Sequence, residues 1–297
     1  MPNSDKLVEK NAEHGTVIDS GNVTSQKSSS SHNAGASSQM QLLNLAKQFA
    51  LDGGLRAPEK QMPIEDRTIK RERLLHLRKQ QNIEAIIGKS LRYCSDSEVA
   101  DKADPDWFSS FVELAELVSN ATMQELWSKI LAGEINHPGA YSLKALQTFK
   151  NLSIYDAKLL AKACSVAMKF QGKKNIRIIT GCYQKPGLFN LLNKNRESQI
   201  SLSSFGLGYG ELMSLADNGL LSHSETELHL MNKGETLAMK YNGKPLVLTA
   251  IKNDVTIRLL KFTPAGAELA QLIADKPDQQ FLQSLEQGLQ HQFALSD

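Results

Sequence analysis

The stretch Trp127-Ser-Lys-Ile-Leu-Ala-Gly-Glu134, followed by His137-Pro-Gly139 and Ser142-Leu143, decides how this chain folds. Met123, Leu126, Trp127, Ile130 and Leu131 recur at the spacing of one buried helical face. Thr122 and Glu125 stand at capping-box distance at the start of that helix, and Gly133 is a residue at which it can close. His137-Pro-Gly139 then forces a turn, because Pro disfavours a helical residue before it.

The same logic extends both ways. Upstream, Asp104 can cap a first turn and Pro105 suits the first helical position, where its missing N–H costs nothing. Trp107, Phe108, Phe111, Leu114, Ala115 and Val118 then form the apolar face. Downstream, Ser142 caps a short helix through Leu143, Leu146 and Phe149. Ser153 and Asp156 open another through Leu159, Leu160, Ala163, Ala167 and Phe170. Four helices on short loops predict near-antiparallel neighbours. Trp107 and Trp127, the two tryptophans, are expected in the core because of the area they bury.

These residues resemble a proteobacterial family of unknown function with a Trp-x-x-x-Leu-Ala-Gly-Glu signature, then Pro-Gly-x-x-Ser-Leu and an Asn-Leu-Ser segment. Here the matching positions are Trp127, Leu131, Ala132, Gly133, Glu134, Pro138, Gly139, Ser142, Leu143, Asn151, Leu152 and Ser153. A looser likeness reaches Phe262-Thr-Pro-Ala-Gly-Ala-Glu-Leu269. The resemblance implies a bacterial protein and, by layout, a context in phage defence. It lends no catalytic residue.

With 297 residues, 41% hydrophobic and 22% charged, the composition is that of an ordinary globular protein of one large or two modest domains. The N-terminus lacks a basic segment followed by an apolar run, and no 18 apolar residues run together, so neither a secretory signal nor a membrane span is expected. Cys94, Cys164 and Cys182 are isolated and odd in number, which suggests neither a disulfide framework nor a zinc site and points to a reducing cytoplasm.

Four regions follow. Residues 1–38 form a Ser-rich tail with too few apolar residues to offset ordering entropy, and are expected to be disordered. Residues 39–62 hold a short apolar helix, from Met40 to Leu51, and a linker; its face should dock on the protein's own core or on a second copy. Residues 63–172 are a helical domain. Residues 173–297 combine strands at Asn175–Thr180, Thr226–Met231, Leu246–Ile251 and Val255–Phe262 with helices from Tyr209 and Pro264. Asn242-Gly243 is a hairpin signal, and the order of elements is similar to winged-helix domains. The expected fold class is α+β, mostly α: a helical N-terminal domain followed by a winged-helix-like α+β part.

Candidate sites are of two kinds. From Arg67 to Arg92, eight Lys or Arg face two Glu, an excess of six in a chain of net charge +2. Arg67, Lys70, Arg71, Arg73, Arg78 and Lys79 are the candidate nucleic-acid contacts, through salt-dependent, sequence-blind pairing with phosphates. The alternative is a solvated basic face, with an apolar seam at Ile83, Ile86, Ile87 and Leu91. Glu134, His137 and Ser142 are the candidate polar surface site of the signature; the alternative is a cap and turn that hold two helices in place. Arg71 and His76 match the pattern of Arg, four to six residues, then His of certain defence-associated RNases, but five helical residues set them about 140° apart. Gly206-Leu-Gly208-Tyr-Gly210 suggests a phosphate cradle, opposed by Glu211. His223 and His229 lack an acidic partner at metal-ligand spacing.

No catalytic residue, cofactor site or metal ligand is assigned. The leading expectation is a non-catalytic interaction or regulatory protein that contacts another protein or itself. A nucleic-acid-binding factor, in the defence context, comes second, and an RNase third.

Overall fold

A computed structural model of the chain describes residues 37–95, 101–170, 176–187, 194–274 and 276–296. The expected disordered tail lies, apart from its last two residues, outside them. The chain divides into two compact units, Met1–Arg56 and Ala57–Asp297.

In the first unit, α1 (Ser38–Gln48) opens at Ser37, whose hydroxyl accepts the Met40 N–H at 3.3 Å. None of its residues is buried. It ends before Leu51 because Ala50 takes a left-handed conformation at φ 55°.

In the second unit, α2 (Ile64–Ser90) carries Glu65 and Asp66 in its first turn and Lys89 in its last, as the helix dipole favours. It is followed by α3 (Pro105–Ala115), α4 (Ala121–Asn136), α5 (Leu143–Lys150) and α6 (Ile154–Ser165). The end of α2 packs on α4, and α3 packs on α5. Of the expected seam, Ile83 and Ile86 are buried, whereas Ile87 and Leu91 are exposed. The aromatic core is built as the spacing predicts: Trp127 meets Phe111 edge-on at 5.4 Å and Phe149 at 5.1 Å, and Trp107 stacks on Phe111. The Trp107 indole N–H donates to the Tyr141 carbonyl at 2.7 Å.

Asp104 and Ser142 cap as expected, and Ser153 with Asp156 closes a reciprocal capping box. Three local expectations change. Asn120, not Thr122, caps α4, its Oδ1 accepting from Thr122 and Met123. Gly133 does not end the helix, which continues to Asn136; a Cβ there would come within 2.7 Å of the Tyr141 ring, so this glycine admits a close neighbour. And α6 stops at Ser165, because Met168–Phe170 leaves the helix to pair in a sheet as β1.

The other strands are β2 (Ile176–Gln184), β3 (Glu197–Gln199), β4 (Thr226–Glu227), β5 (Thr236–Tyr241), β6 (Lys244–Ala250), β7 (Val255–Lys261) and β8 (Phe293–Ser296). They form one antiparallel sheet of order β4-β7-β2-β1-β5-β6-β8, with β3 also on β2. The centre of β2 is buried on both faces, as an interior strand requires. Asn242 and Gly243 both have positive φ, 46° and 85°, and close the two-residue hairpin between β5 and β6. The strand expected over residues 226 to 231 is cut to β4 and an isolated bridge at Met231. Around the sheet stand α7 (Tyr209–Asp217), α8 (Pro264–Leu269) and α9 (Gln279–Leu289), of which α9 packs on β2 and α8 on α5. The class is α+β with an antiparallel sheet. Among the described residues the sheet has eight strands, and it takes β1 from the segment just after α6. A continuous hydrophobic core runs from Ile83 to Phe293.

Candidate functional site

The signature residues are used for folding. Glu134 is 3% exposed, and its two carboxylate oxygens accept the N–H groups of Gly139 at 2.7 Å and Tyr141 at 2.9 Å. Gly139, at φ 82°, turns the chain so that both donors reach back. The backbone N–H and hydroxyl of Ser142 both donate to Glu268, at 2.7 and 2.8 Å. His137 is exposed at the C-cap of α4. Glu134 and Ser142 therefore bracket one turn, while His137 stands outside their hydrogen bonds. Burial, then the carboxylates of Glu134 and Glu268, pushes the Tyr141 hydroxyl up to about 12.

Sequence reasoning missed Glu268. The available signal was its setting: Ala265, Gly266, Ala267 and Leu269 around it are all buried, and a carboxylate rarely enters such a run without a partner.

The basic helix splits into two parts. Toward its C-terminal end the cations hold α2 in place. Lys79 pairs with Glu116, Lys89 donates to Gln124 at 2.8 Å, and Arg92 pairs with Glu125 at 3.0 Å. Arg78 is half-buried, as is Arg67. In the first half, Lys70, Arg71 and Arg73 are exposed. So are Ile64, Ile69, Leu74 and Leu77, with Ile69 at 64% and Leu77 at 50%. At 100° per residue, Arg67, Lys70, Arg71 and Arg78 fall in a sector of about 100°, outside which lie Glu65, Asp66, Glu72 and Glu84. His76 is exposed on the same helix, five residues after Arg71.

The glycine-rich loop has charges of both signs beside it, with the Lys162 ammonium 2.6 Å from where a Gly206 Cβ would stand. Gly206 is left-handed at φ 71°, and Gly208 caps α7 without a side-chain bond. The Glu211 carboxylate reaches within 2.9 Å of where a Gly208 Cβ would stand, so the helix start already has negative charge beside it. His223 does have an acidic neighbour: its Nδ1 lies 3.8 Å from the Asp217 carboxylate. Among the described residues, no group of three or more His, Cys, Asp or Glu could hold a metal ion, and no helix is long and apolar enough to cross a membrane.

Residues 66–286 match the family described as Protein of unknown function (DUF2806). No curated protein and no solved structure gives a significant match.

Proposed function

The chain belongs to the DUF2806 family of proteins of unknown function, and we propose that this member is a non-catalytic interaction protein working through the first half of α2. One observation carries the reading: Ile64, Ile69, Leu74 and Leu77 are exposed along the same stretch, roughly four turns of helix, that exposes Lys70, Arg71 and Arg73. Single exposed apolar residues are ordinary, but Ile69, Leu74 and Leu77 fall with Lys70 and Arg73 in one sector of about 140°, a surface suited to a partner with apolar and acidic groups, while Ile64 and Arg71 lie outside it. The cysteines Cys94, Cys164 and Cys182, isolated in sequence and odd in number, suit a reducing cytoplasm.

The test is site-specific crosslinking in living cells, with a photo-reactive residue in place of Arg73 or, as a control, of the exposed Lys158 on α6. The proposal expects a discrete protein adduct from position 73 and none from position 158. Equal adducts from both positions would contradict it.

A second reading, nucleic-acid binding, is favoured by the sector that gathers Arg67, Lys70, Arg71 and Arg78. Its test is fluorescence anisotropy of the full chain with labelled random DNA and RNA across a salt series. Binding that weakens steeply with salt, and that Lys70→Glu with Arg71→Glu removes, supports it. Lys79 is a poor choice for reversal, because it is committed to Glu116.

A further inference from the structure

From Ile64 to Leu77, a rise of about 20 Å, α2 has no buried residue, and only Arg67 and Leu75 are half-buried. Toward its other end Lys79 pairs with Glu116, and the Asn82 amide donates to the Glu116 carbonyl at 2.9 Å. At 100° per residue, Asp66, Ile69, Arg73 and Leu77 fall within about 80° of one another on the exposed part. They make one stripe that runs acid, apolar, base, apolar, and all four are exposed.

Asp66 and Arg73 stand beyond the three- or four-residue spacing at which side chains of one helix meet. Neither makes an ion pair or a side-chain hydrogen bond among the described residues. Their charges are opposite, so a second α2 running the other way satisfies both at once. In a two-fold pair, one residue meets a second where the second meets the first. Setting Asp66 against Arg73 of another copy places the axis between Ile69 and Lys70 and makes two ion pairs. A parallel pair would set Asp66 on Asp66 and Arg73 on Arg73, which like charges oppose.

In that register Ile69 packs on Ile69 of the other copy beside the axis. Leu77 reaches the start of the other helix, where Met62 is exposed. The overlap covers residues 62–77 of each copy and stops short of Lys79, which is committed to Glu116. Lys70 also lies near the axis, at the edge of the stripe, where its long stem lets the ammonium turn to water. About four turns from each copy is a small interface, which fits a reversible dimer that salt weakens.

We propose that α2 pairs with α2 of a second copy of this chain as an antiparallel two-fold dimer, packed through Ile69 and Leu77 and set in register by Asp66 on Arg73. The pairing rests on the interaction reading of the same surface and supplies its partner, with the acidic first turn of one helix meeting the basic stretch of the other.

The test is sedimentation equilibrium of the full chain over a concentration series at low salt, repeated with Asp66→Lys, with Arg73→Glu, and with the two variants mixed. The unsubstituted chain should dimerise reversibly. Each variant alone meets like charges at both pairs and should dimerise at least about tenfold more weakly. In the equimolar mixture every substituted position faces an opposite charge, and the dimer should return to the level of the unsubstituted chain. Both positions are exposed, so each variant should keep its melting temperature, and recovery in the mixture shows directly that both are folded. A monomeric unsubstituted chain, single variants that dimerise undiminished, or a mixture no better than its components would each overturn the proposal. If the purified chain is monomeric while position 73 still crosslinks to a different protein, the pairing fails and the interaction reading stands. If position 73 gives no adduct either, both fail.

Discussion

Ser142 and Glu268 are 126 positions apart in sequence, yet one oxygen of Glu268 accepts both the backbone N–H and the hydroxyl of Ser142. The carboxylate of α8 thereby sits at the N-terminus of α5, where the helix dipole favours negative charge. From the other side Glu134 holds Gly139 and Tyr141. Two buried carboxylates thus fix the turn from Gly139 to Ser142, and the signature that first suggested a surface site is a device for joining α4, α5 and α8.

Glu134→Ala should cost stability on the order of 2–4 kcal/mol, because two N–H groups lose their acceptor in a buried setting. Glu134→Gln keeps one acceptor oxygen and should cost about half as much. Urea denaturation followed by Trp fluorescence measures both. Equal midpoints for wild type and Glu134→Ala would remove the carboxylate from the account.

Two helical glycines should respond oppositely to alanine. At Gly266 a Cβ would meet the Leu220 carbonyl oxygen at 2.0 Å, a backbone contact that cannot give way, so Gly266→Ala should destabilise strongly. At Gly88 nothing lies within 4 Å, so Gly88→Ala should stabilise by up to about 1 kcal/mol through helix propensity. Thermal melts of the two variants give opposite signs if the packing of α8 is as described.

Alkaline pH should unfold the protein partly through Tyr141. Its hydroxyl ordinarily ionises near 10.0 and in the fold near 12, so the folded state binds the proton more tightly. The stability this contributes is complete below pH 10 and is lost between pH 10 and 12, amounting to roughly 2–3 kcal/mol. Tyr141→Phe should flatten that part of the pH–stability curve; an unchanged slope would show that Tyr141 is not the group responsible.

Cys182 should be the inert thiol. It is buried, and burial pushes its thiol up to about 12, whereas Cys94 and Cys164 are half-exposed. Alkylation with iodoacetamide at pH 8, read by peptide mass spectrometry, should label Cys94 and Cys164 first and reach Cys182 only on unfolding.

Much of this was legible in sequence because its causes are local. Asp104, Ser142 and Ser153 announce helix starts within four residues, and Asn242-Gly243 announces its hairpin within two. What sequence could not show depends on distant partners. Gly133 reads as a helix end until the Tyr141 ring is placed over it. Met168 to Phe170 continues the apolar spacing of α6, and only pairing with Met239 to Tyr241 makes it a strand. The pairing of Glu268 with Ser142 and the unpartnered hydroxyl of Thr180 are consequences of the same long-range assembly. For α2, composition revealed the cations, but not that Lys79 and Arg92 are committed to α3–α4 carboxylates while Lys70, Arg71 and Arg73 are exposed.

On the interaction reading, the first half of α2 is a contact surface and not part of the core. The most direct measurement combines Ile69→Glu and Leu77→Glu in one chain and compares its melting temperature and its crosslinked adduct from position 73 with those of the unsubstituted chain. The expected result is a melting temperature within a few degrees of the original, as exposed positions allow, and loss of the adduct. A steep fall in melting temperature would make these residues structural, and an adduct that survives intact would place the contact elsewhere.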